Sequence, residues 1–333
     1  MKKILSMILV CVICVFNCIA CGKEQESIGV RVGSLKGPTS IGIVELMARA
    51  EDGETENDYT FTMEVAADTL LTMMVQEQLD IALVPANVAS VLYNKTEGQV
   101  VVIDINTLGV LYIVTGDESV TEIQDLKGKT IYLTGKGTTP DYVLQYVLED
   151  NGISLDEVTI EYKSEATEVA AVLKTDSTAI GLLPQPFVTA AMVQNENLKI
   201  VFDMNEEWNK LQGEDGSMMV TGVTVVRKAF LEENEEAVIR FLKDHKRSAE
   251  YVNNNTEAAA TLVVEEGIIE KAPIAEKAIP NCNIVCIEGE EMKQALSGYL
   301  KVLFDKDAKS VGGTLPGEDF YYLDSGVKRS LTF

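Results

Sequence analysis

Runs of β-branched residues alternate along the chain with segments whose apolar positions recur every three or four residues. Residues 28–33 alternate as a strand does, residues 34–39 contain turn formers, and a helix is predicted next. The same order returns at Thr130–Leu133, which is followed by a Gly- and Thr-rich loop and a helix that Pro140 opens. Strand, loop and helix in this order predict an α/β fold with parallel strands.

The middle of each half repeats a common pattern. Residues 63–93 align without a gap on residues 162–192, so that Ile81–Pro85 falls on Ile180–Pro184. Internal similarity of this kind predicts two units of like topology. Ligands of open α/β sheets bind beyond the carboxyl ends of the strands, so two facing units would form a cleft. The loops expected to line it are 34–40, 84–87, 134–140 and 183–187.

The same patterns assign the rest of the chain. Residues 100–115 are apolar enough to carry the chain from the first unit to the second, and residues 218–226 to carry it back. The acidic, Gly-containing stretch 203–217 is predicted to be a loop. Residues 230–252 form a helical pattern whose apolar stripe includes His245, which favours a packed histidine over a ligand. Further predictions are helices at 258–266 and 290–304, and a docked tail at 312–325 with Phe320, Tyr321 and Tyr322.

Length and charge narrow the classes of function. The chain has 333 residues, enough for about two domains. Its 28 Lys and Arg against 52 Asp and Glu give a formal charge of −24, so no nucleic acid is expected as a partner. Because His245 is the only histidine, His-rich metal sites are excluded and triad chemistry is disfavoured. Neither a metal site nor a cofactor is expected.

The amino-terminal sequence is typical of an export signal. Two lysines precede an apolar run at 4–20 that is short for a membrane span and suits the core of a signal peptide. The run ends in Ala20-Cys21, after which the chain turns polar. This resembles the lipobox of bacterial lipoproteins, with Cys18 where the family usually has Leu. Cys21 is therefore the expected lipidation site after removal of 1–20. An ordinary cleaved signal and an uncleaved anchor are the alternatives.

Two cysteines lie beyond the export segment. Cys282 and Cys286 would be about 13 Å apart on one strand, too far for a disulfide, although a turn or helix would bring them closer. Two buried thiols are expected, with a disulfide as the alternative in an oxidising compartment. A metal site at this pair lacks further ligands in the sequence around it.

Several segments resemble, in the right order, those of type 2 periplasmic binding proteins. Residues 123–133, with the sequence IQDLKGKTIYL, and Gly137-Thr138-Thr139 are similar to the family's DLKGKxI…GS stretch. Residues 78–82 resemble its G-x-D-A/I-A strand, with Gln78 in place of Gly, and residues 226–234 resemble the start of its return helix. The resemblance covers nearly the whole chain after the signal. The most similar group is the nitrate, sulfonate, taurine and thiamine-precursor binding proteins of ABC importers.

The resemblance implies two Rossmann-like lobes that hinge on two crossings and close over a small ligand in the cleft between them. Lobe 1 would comprise 28–106 and 222–333, lobe 2 would comprise 107–221, and 21–27 would be a tether. Carried over by position, the ligand-binding residues would be Lys36, Gly37, Pro38, Thr39, Ala86 and Asn87 in lobe 1, and Gly137, Thr138, Thr139 and Gln185 in lobe 2.

The residue types leave the charge of the ligand open. Backbone N–H groups at the starts of the helices after Pro38 and Thr139 can bind an acceptor, while the threonines there could equally cap these helices. Asn87 and Gln185 suit either a neutral polar group or the capping of a loop. Lys36 and Lys136 are the only cations of the four loops, and an arginine clamp is absent from them. Asp141 disfavours a strongly anionic ligand at the start of its own helix.

We expect an extracytoplasmic, lipid-anchored and monomeric protein that binds a small polar solute and hands it to an ABC permease and its ATPase. The alternatives are an enzyme on the same fold, such as a dehydratase or a thiamine-pyrimidine synthase, and a sensor or adhesion lipoprotein. The export signal and the scarcity of histidine favour binding over catalysis.

Overall fold

The computed structural model describes residues 27–213 and 217–323. The predicted signal segment 1–20 and the lipidation candidate Cys21 lie outside these ranges. Within them, no helix combines the length and the apolar character that crossing a bilayer requires.

The strands form two mixed sheets. In chain order the strands are β1 (Gly29–Leu35), β2 (Asp58–Glu64), β3 (Ile81–Pro85), β4 (Val100–Leu108), β5 (Leu111–Thr115), β6 (Thr130–Leu133), β7 (Thr159–Tyr162), β8 (Ile180–Pro184), β9 (Lys199–Asp203), β10 (Val220–Arg227) and β11 (Ile284–Ile287). The first sheet has the order β11-β4-β10-β3-β1-β2, and the second has the order β7-β6-β8-β5-β9.

Helices fill most of the connections. They are α1 (Pro38–Ile41), α2 (Val44–Glu51), α3 (Ala67–Val75), α4 (Ala86–Lys95), α5 (Thr139–Asp150), α6 (Ala166–Thr175), α7 (Phe187–Gln194), α8 (Met204–Gln212), α9 (Lys228–Glu233), α10 (Glu235–Asn254), α11 (Thr256–Glu265), α12 (Ala272–Ala278) and α13 (Gly289–Lys306).

The repeat predicted from the sequence has a structural counterpart. In the first sheet β1 pairs in parallel with β2 and β3, and in the second sheet β6 pairs in parallel with β7 and β8. The aligned segments Ile81–Pro85 and Ile180–Pro184 are β3 and β8, which have five residues each and lie at matching places in the two sheets. Antiparallel partners come from strands next to the crossings, since β10 pairs with β3 and β5 pairs with β8.

The described residues include one whole connection between the sheets and the end of another. Gly109 and Val110 link β4 of the first sheet to β5 of the second, and residues 217–219 lead into β10. Gly109 is tightly enclosed, because a β-carbon at this position would lie 2.6 Å from both Asn205 Oδ1 and Met219 Cε. One buried apolar cluster includes residues of both sheets, among them Ile113 of β5 and Val223 of β10. The core therefore continues across the crossings.

The prediction of a loop at 203–217 is wrong over most of the described part of this stretch, because residues Met204–Gln212 form α8. The Asp203 side chain caps this helix by accepting hydrogen bonds from the N–H groups of Asn205 and Glu206. Trp208 is fully buried against the rings of Tyr146 and Tyr299. The helix is held by its cap and by tertiary packing, while its acidic composition resembles that of a loop.

Two predictions near the carboxyl end have clear outcomes. The helix expected at 230–252 is interrupted at Asn234, which separates α9 from α10. The docking of the aromatic tail is confirmed: Phe320 is fully buried, and Tyr321 forms an isolated parallel bridge with Val102 of β4.

Candidate functional site

A cavity of about 510 Å³ lies where loops of the two sheets meet. Its lining includes Leu35 and Pro85 at the ends of β1 and β3, and Thr134 and Pro184 just after β6 and at the end of β8. The carboxyl ends of the parallel strands from both sheets therefore face one space, as expected for a ligand site of α/β sheets. Its volume is within the range of pockets for small molecules.

Seven of the ten predicted ligand-binding residues line this cavity. They are Lys36, Gly37, Pro38, Thr39, Gly137, Thr138 and Thr139. Gly37 (φ 144°) and Gly137 (φ 73°) have positive backbone angles that a side chain would strain. These two glycines let each loop turn sharply into the helix that follows.

The threonines of the two loops do not cap their helices with their side chains. The hydroxyl of Thr39 donates to the carbonyl of Leu35 (2.9 Å), and that of Thr138 donates to the carbonyl of Gly135 (2.6 Å). Each bond closes its own loop. The alternative in which these side chains cap the helix starts is therefore not what the structure contains.

Three predicted residues are not among those that line the cavity: Ala86, Asn87 and Gln185. Asn87 is fully buried and donates from Nδ2 to the carbonyls of Ser310 (3.0 Å) and Gly137 (3.2 Å). Gln185 is 2% exposed, and its Oε1 accepts a hydrogen bond from the hydroxyl of Thr189 (2.9 Å). Asn87 therefore holds segments together behind the cavity wall, while Gln185 bonds to the first turn of α7.

Asp141 occupies donors at the start of α5. Its Oδ2 accepts the N–H of Gly137 (2.8 Å), and its Oδ1 accepts Tyr162 Oη (2.7 Å) and Gln145 Nε2 (2.6 Å). Burial, together with this carboxylate, raises the pKa of Tyr162. The negative charge near this helix start makes it a poor place for a second anion.

The cavity is richer in cations than its loops alone indicate. Lys36 and Lys136 are joined by Lys95, the last residue of α4, and by Lys309. The acidic side chains in the lining are Asp68 and Glu165. Four lysines against two carboxylates form a locally positive site in a chain of net charge −24.

Sequence reasoning missed Thr221, Lys95 and Lys309. Thr221 lies on the return crossing and lines the cavity, and its buried hydroxyl has no hydrogen-bond partner among the described residues. Lys309 belongs to a short 3-10 helix, Ala308–Val311, that the tail brings back beside α4. No local pattern marks these residues, because each depends on contacts between distant segments.

The two described cysteines are free thiols. Cys282 is fully buried, and burial raises the pKa of its thiol. Cys286 is partly exposed on the short strand β11, so the prediction of two buried thiols is confirmed for Cys282 and wrong for Cys286. His245 is fully buried, as its place on the apolar stripe predicted, and its Nδ1 lies 3.0 Å from Asp104 Oδ2.

The chain matches one family model and is similar in fold to several solved structures. Residues 98–259 match the family model described as NMT1/THI5 like. An ABC transporter protein from Parabacteroides distasonis is 22% identical, with a TM-score of 0.74 over 90% of this chain and 100% of that chain. The periplasmic aliphatic sulphonate binding protein SsuA from Escherichia coli is 14% identical, with a TM-score of 0.70 over 89% and 96% of the two chains.

A third similar structure is the alkanesulfonate-binding protein SsuA from Xanthomonas axonopodis pv. citri bound to MOPS. It is 13% identical, with a TM-score of 0.68 over 88% of this chain and 96% of that chain. A search among curated proteins gave no match. The chain therefore has the type 2 periplasmic binding protein fold predicted from its sequence, and its residues 98–259 match the NMT1/THI5-like family.

Proposed function

We propose that this chain is the extracytoplasmic substrate-binding protein of an ABC importer, which captures a small polar solute and delivers it to a permease and its ATPase. The observation that carries the proposal is the cavity between the two sheets, which loops from both of them line. A ligand bound there contacts both halves at once, so binding favours their closed arrangement. The similar proteins named as sulfonate binders and as part of an ABC transporter support the same role.

The lobes of this proposal follow the boundaries expected from the sequence, with 28–106 and 222–333 in lobe 1 and 107–221 in lobe 2. Lipidation at Cys21 would hold the monomer at the outer face of the cell membrane, beside its permease. The ten residues carried over from the family remain the proposed ligand-binding set, in two roles. Seven face the ligand, while Ala86, Asn87 and Gln185 support the loops that do so.

We propose an anionic headgroup for the ligand. Four lysines from separate segments line the cavity, and a sulfonate or carboxylate would neutralise part of their charge. Lys136 is placed by packing, since its Nζ lies 5.1 Å from the centre of the Tyr162 ring. Because Asp141 already takes the N–H of Gly137, the headgroup belongs nearer Lys36 than the start of α5.

The ligand is proposed to leave the site chemically unchanged. Among the described residues of the cavity lining there is neither a histidine nor a cysteine. The lining carboxylates, Asp68 and Glu165, come from segments about α3 and α6 on different sheets. The hydroxyl of Thr167 donates to Glu165 (3.2 Å), but this is an exposed contact between residues two apart at the start of α6, not a nucleophile and a base held together inside the cavity.

A thermal-shift screen tests the proposal directly. The purified protein is heated with alkanesulfonates, carboxylates, amino acids and pyrimidines, and each hit is recovered and checked for chemical change. A ligand at about 100 times its Kd should add about 2.7 kcal/mol, which raises the melting temperature by several degrees. Anions should give the largest shifts and return intact. Turnover of a hit, or shifts confined to cations, would contradict the proposal.

A further inference from the structure

Three potential metal ligands converge behind α1, away from the cavity lining. A ring nitrogen of His245, a carboxylate oxygen of Asp104 and the thiol sulfur of Cys286 all lie within 4.8 Å of one another. Asp104 lies on β4, His245 on α10 and Cys286 on β11. Along the chain, His245 is 141 residues and Cys286 is 182 residues from Asp104. Strand pairing fixes two of them, because Ile287 on β11 is paired with Ile105 on β4.

Burial distinguishes this cluster from a chance group of surface acids. The side chains of Asp104 and His245 are both 0% exposed, and only Cys286 reaches solvent. Nε2 of His245 has no hydrogen-bond partner among the described residues. It points toward α1, since a β-carbon at Gly42 would lie 3.7 Å from it. The ring therefore presents Nδ1, and not Nε2, to Asp104, and Nδ1 is the nitrogen that an ion in this cluster would bind.

The distances suit a tetrahedral cation after small movements. Nδ1 of His245 and Oδ2 of Asp104 are 3.0 Å apart, whereas two such ligands of one zinc ion stand about 3.4 Å apart. Cys286 is at the partly exposed side of the cluster, so rotation of its side chain can bring the sulfur to the ion. Glu288 Oε1 lies 3.9 Å from this sulfur and is the carboxylate next to the cluster that would serve as a fourth ligand.

We propose that Asp104, His245 and Cys286 form a binding site for a divalent transition-metal cation of the zinc type. Binding releases the thiol proton, and the imidazole takes the tautomer with its proton on Nε2, so that Nδ1 faces the ion in place of its hydrogen bond with Oδ2. The positive charge of the neighbouring Lys246 favours the charged forms of Cys286 and Glu288. Two carboxylates and one thiolate then balance this lysine and one divalent ion.

Ligand chemistry selects the class of metal. Thiolate and imidazole favour Zn²⁺ and its transition-metal neighbours, whereas Mg²⁺ and Ca²⁺ prefer oxygen ligands. The sequence predicted no metal site because neither His245 nor Cys286 has other ligands at a recognisable spacing. Only the pairing of β11 with β4 and the packing of α10 bring the three groups together.

The test uses Zn²⁺ for affinity and Co²⁺ as a spectroscopic probe, both with excess Mg²⁺ to saturate surface carboxylates. The wild-type protein should bind one equivalent of Zn²⁺, and Co²⁺ should give a thiolate-to-metal charge-transfer band. Cys286→Ser should abolish that band and weaken Zn²⁺ binding about tenfold or more. Asp104→Asn should weaken Zn²⁺ binding to a similar extent. Cys282→Ser is the matched control, because this buried thiol lies outside the cluster, and it should leave both signals unchanged.

Two results would overturn the proposal. One is a wild-type protein that binds no Zn²⁺ in excess Mg²⁺. The other is a Co²⁺ spectrum without the thiolate band, or with a band that persists in Cys286→Ser. Melting temperatures of the metal-free variants show that each is folded before it is titrated. Because the cluster lies outside the cavity lining, a negative result leaves the proposed solute binding untouched.

Discussion

Polar groups around the cavity differ in whether the protein already satisfies them. Asp141 accepts hydrogen bonds from three donors, and the hydroxyl of Thr138 donates a hydrogen bond to the carbonyl of Gly135. Thr221 lines the cavity, and its buried hydroxyl has no partner in the described part of the chain. A group of the last kind gains a hydrogen bond only when a ligand arrives, so it should contribute to affinity rather than to folding.

Thr221→Val tests this distinction. The change should weaken binding of the anion selected in the screen by about three- to tenfold, the value of one hydrogen bond, while the free energy of unfolding stays within about 0.5 kcal/mol. Thr138→Val is the control with the opposite pattern: its loss should appear mainly as about 1 kcal/mol of stability. Calorimetric titration and urea unfolding measure the two quantities. An unchanged affinity in Thr221→Val would remove Thr221 from the ligand site.

Asp80 joins three strands of the first sheet at the end opposite the cavity. It precedes β3 and receives hydrogen bonds from Arg31 of β1 (2.8 and 2.6 Å) and from Arg227 of β10 (2.8 Å). Burial opposes its ionisation, but the hydrogen bonds from both arginines outweigh burial, so the pKa of Asp80 is lowered. The carboxylate therefore stabilises the sheet only while it is charged.

Asp80→Asn should lower the free energy of unfolding by about 2–3 kcal/mol near neutral pH, less than for a fully buried pair because Arg31 is partly exposed. Since the folded pKa is lowered, this stabilisation is present above the ordinary Asp pKa of about 3.9 and is lost as the pH falls through the folded value. Denaturant unfolding between about pH 7 and pH 2 should show the difference between the two proteins shrinking below about pH 4. Asp58→Asn, at an exposed position, should follow the wild type throughout. A constant difference at every pH would contradict this account.

Strands and loops were predictable at this scale, whereas side-chain directions were not. The alternating runs gave β1 and β6, and the internal alignment gave β3 and β8, because local pattern determines these elements. The helix α8 was missed because Trp208, packed against Tyr299 of a distant helix, holds it. Seven predicted site residues line the cavity, since glycines and helix starts mark loops. Asn87 turns toward the carbonyl of Ser310, a distant partner that no local spacing reveals, and Gln185 turns toward Thr189 in its own segment rather than into the cavity.

Contacts between segments of the two sheets set the shape of the whole molecule. Lys306, at the end of α13, pairs with Asp150 of α5, and Trp208 of α8 packs against Tyr299 of α13. Asn87 of α4 also reaches the carbonyl of Gly137, on the other side of the cavity. These contacts hold the halves together around the ligand space, so loosening them should reduce affinity without touching the ligand.

Lys306→Met removes one of these contacts at the surface. Because a partly exposed ion pair is worth about 0.2–1 kcal/mol, the affinity for the selected anion should fall by no more than about fivefold, with a faster release rate. Lys301→Met is the matched control, since Lys301 pairs with Asp305 inside the same helix. Stopped-flow fluorescence of Trp208, the only tryptophan of the chain, measures release. Equal rates in both variants would show that the Lys306 pair does not act on closure.

The cavity lysines provide the most direct test of the central claim, that an anionic solute binds between the halves. Calorimetric titration should compare the wild type with Lys36→Met/Lys136→Met, which removes one cation from each side of the cavity. The control is Lys174→Met/Lys199→Met, which removes two exposed lysines outside its lining. The account predicts that affinity for the selected anion falls about tenfold or more in the first variant and is unchanged in the second. Equal losses in both variants, or no loss in the first, would contradict it.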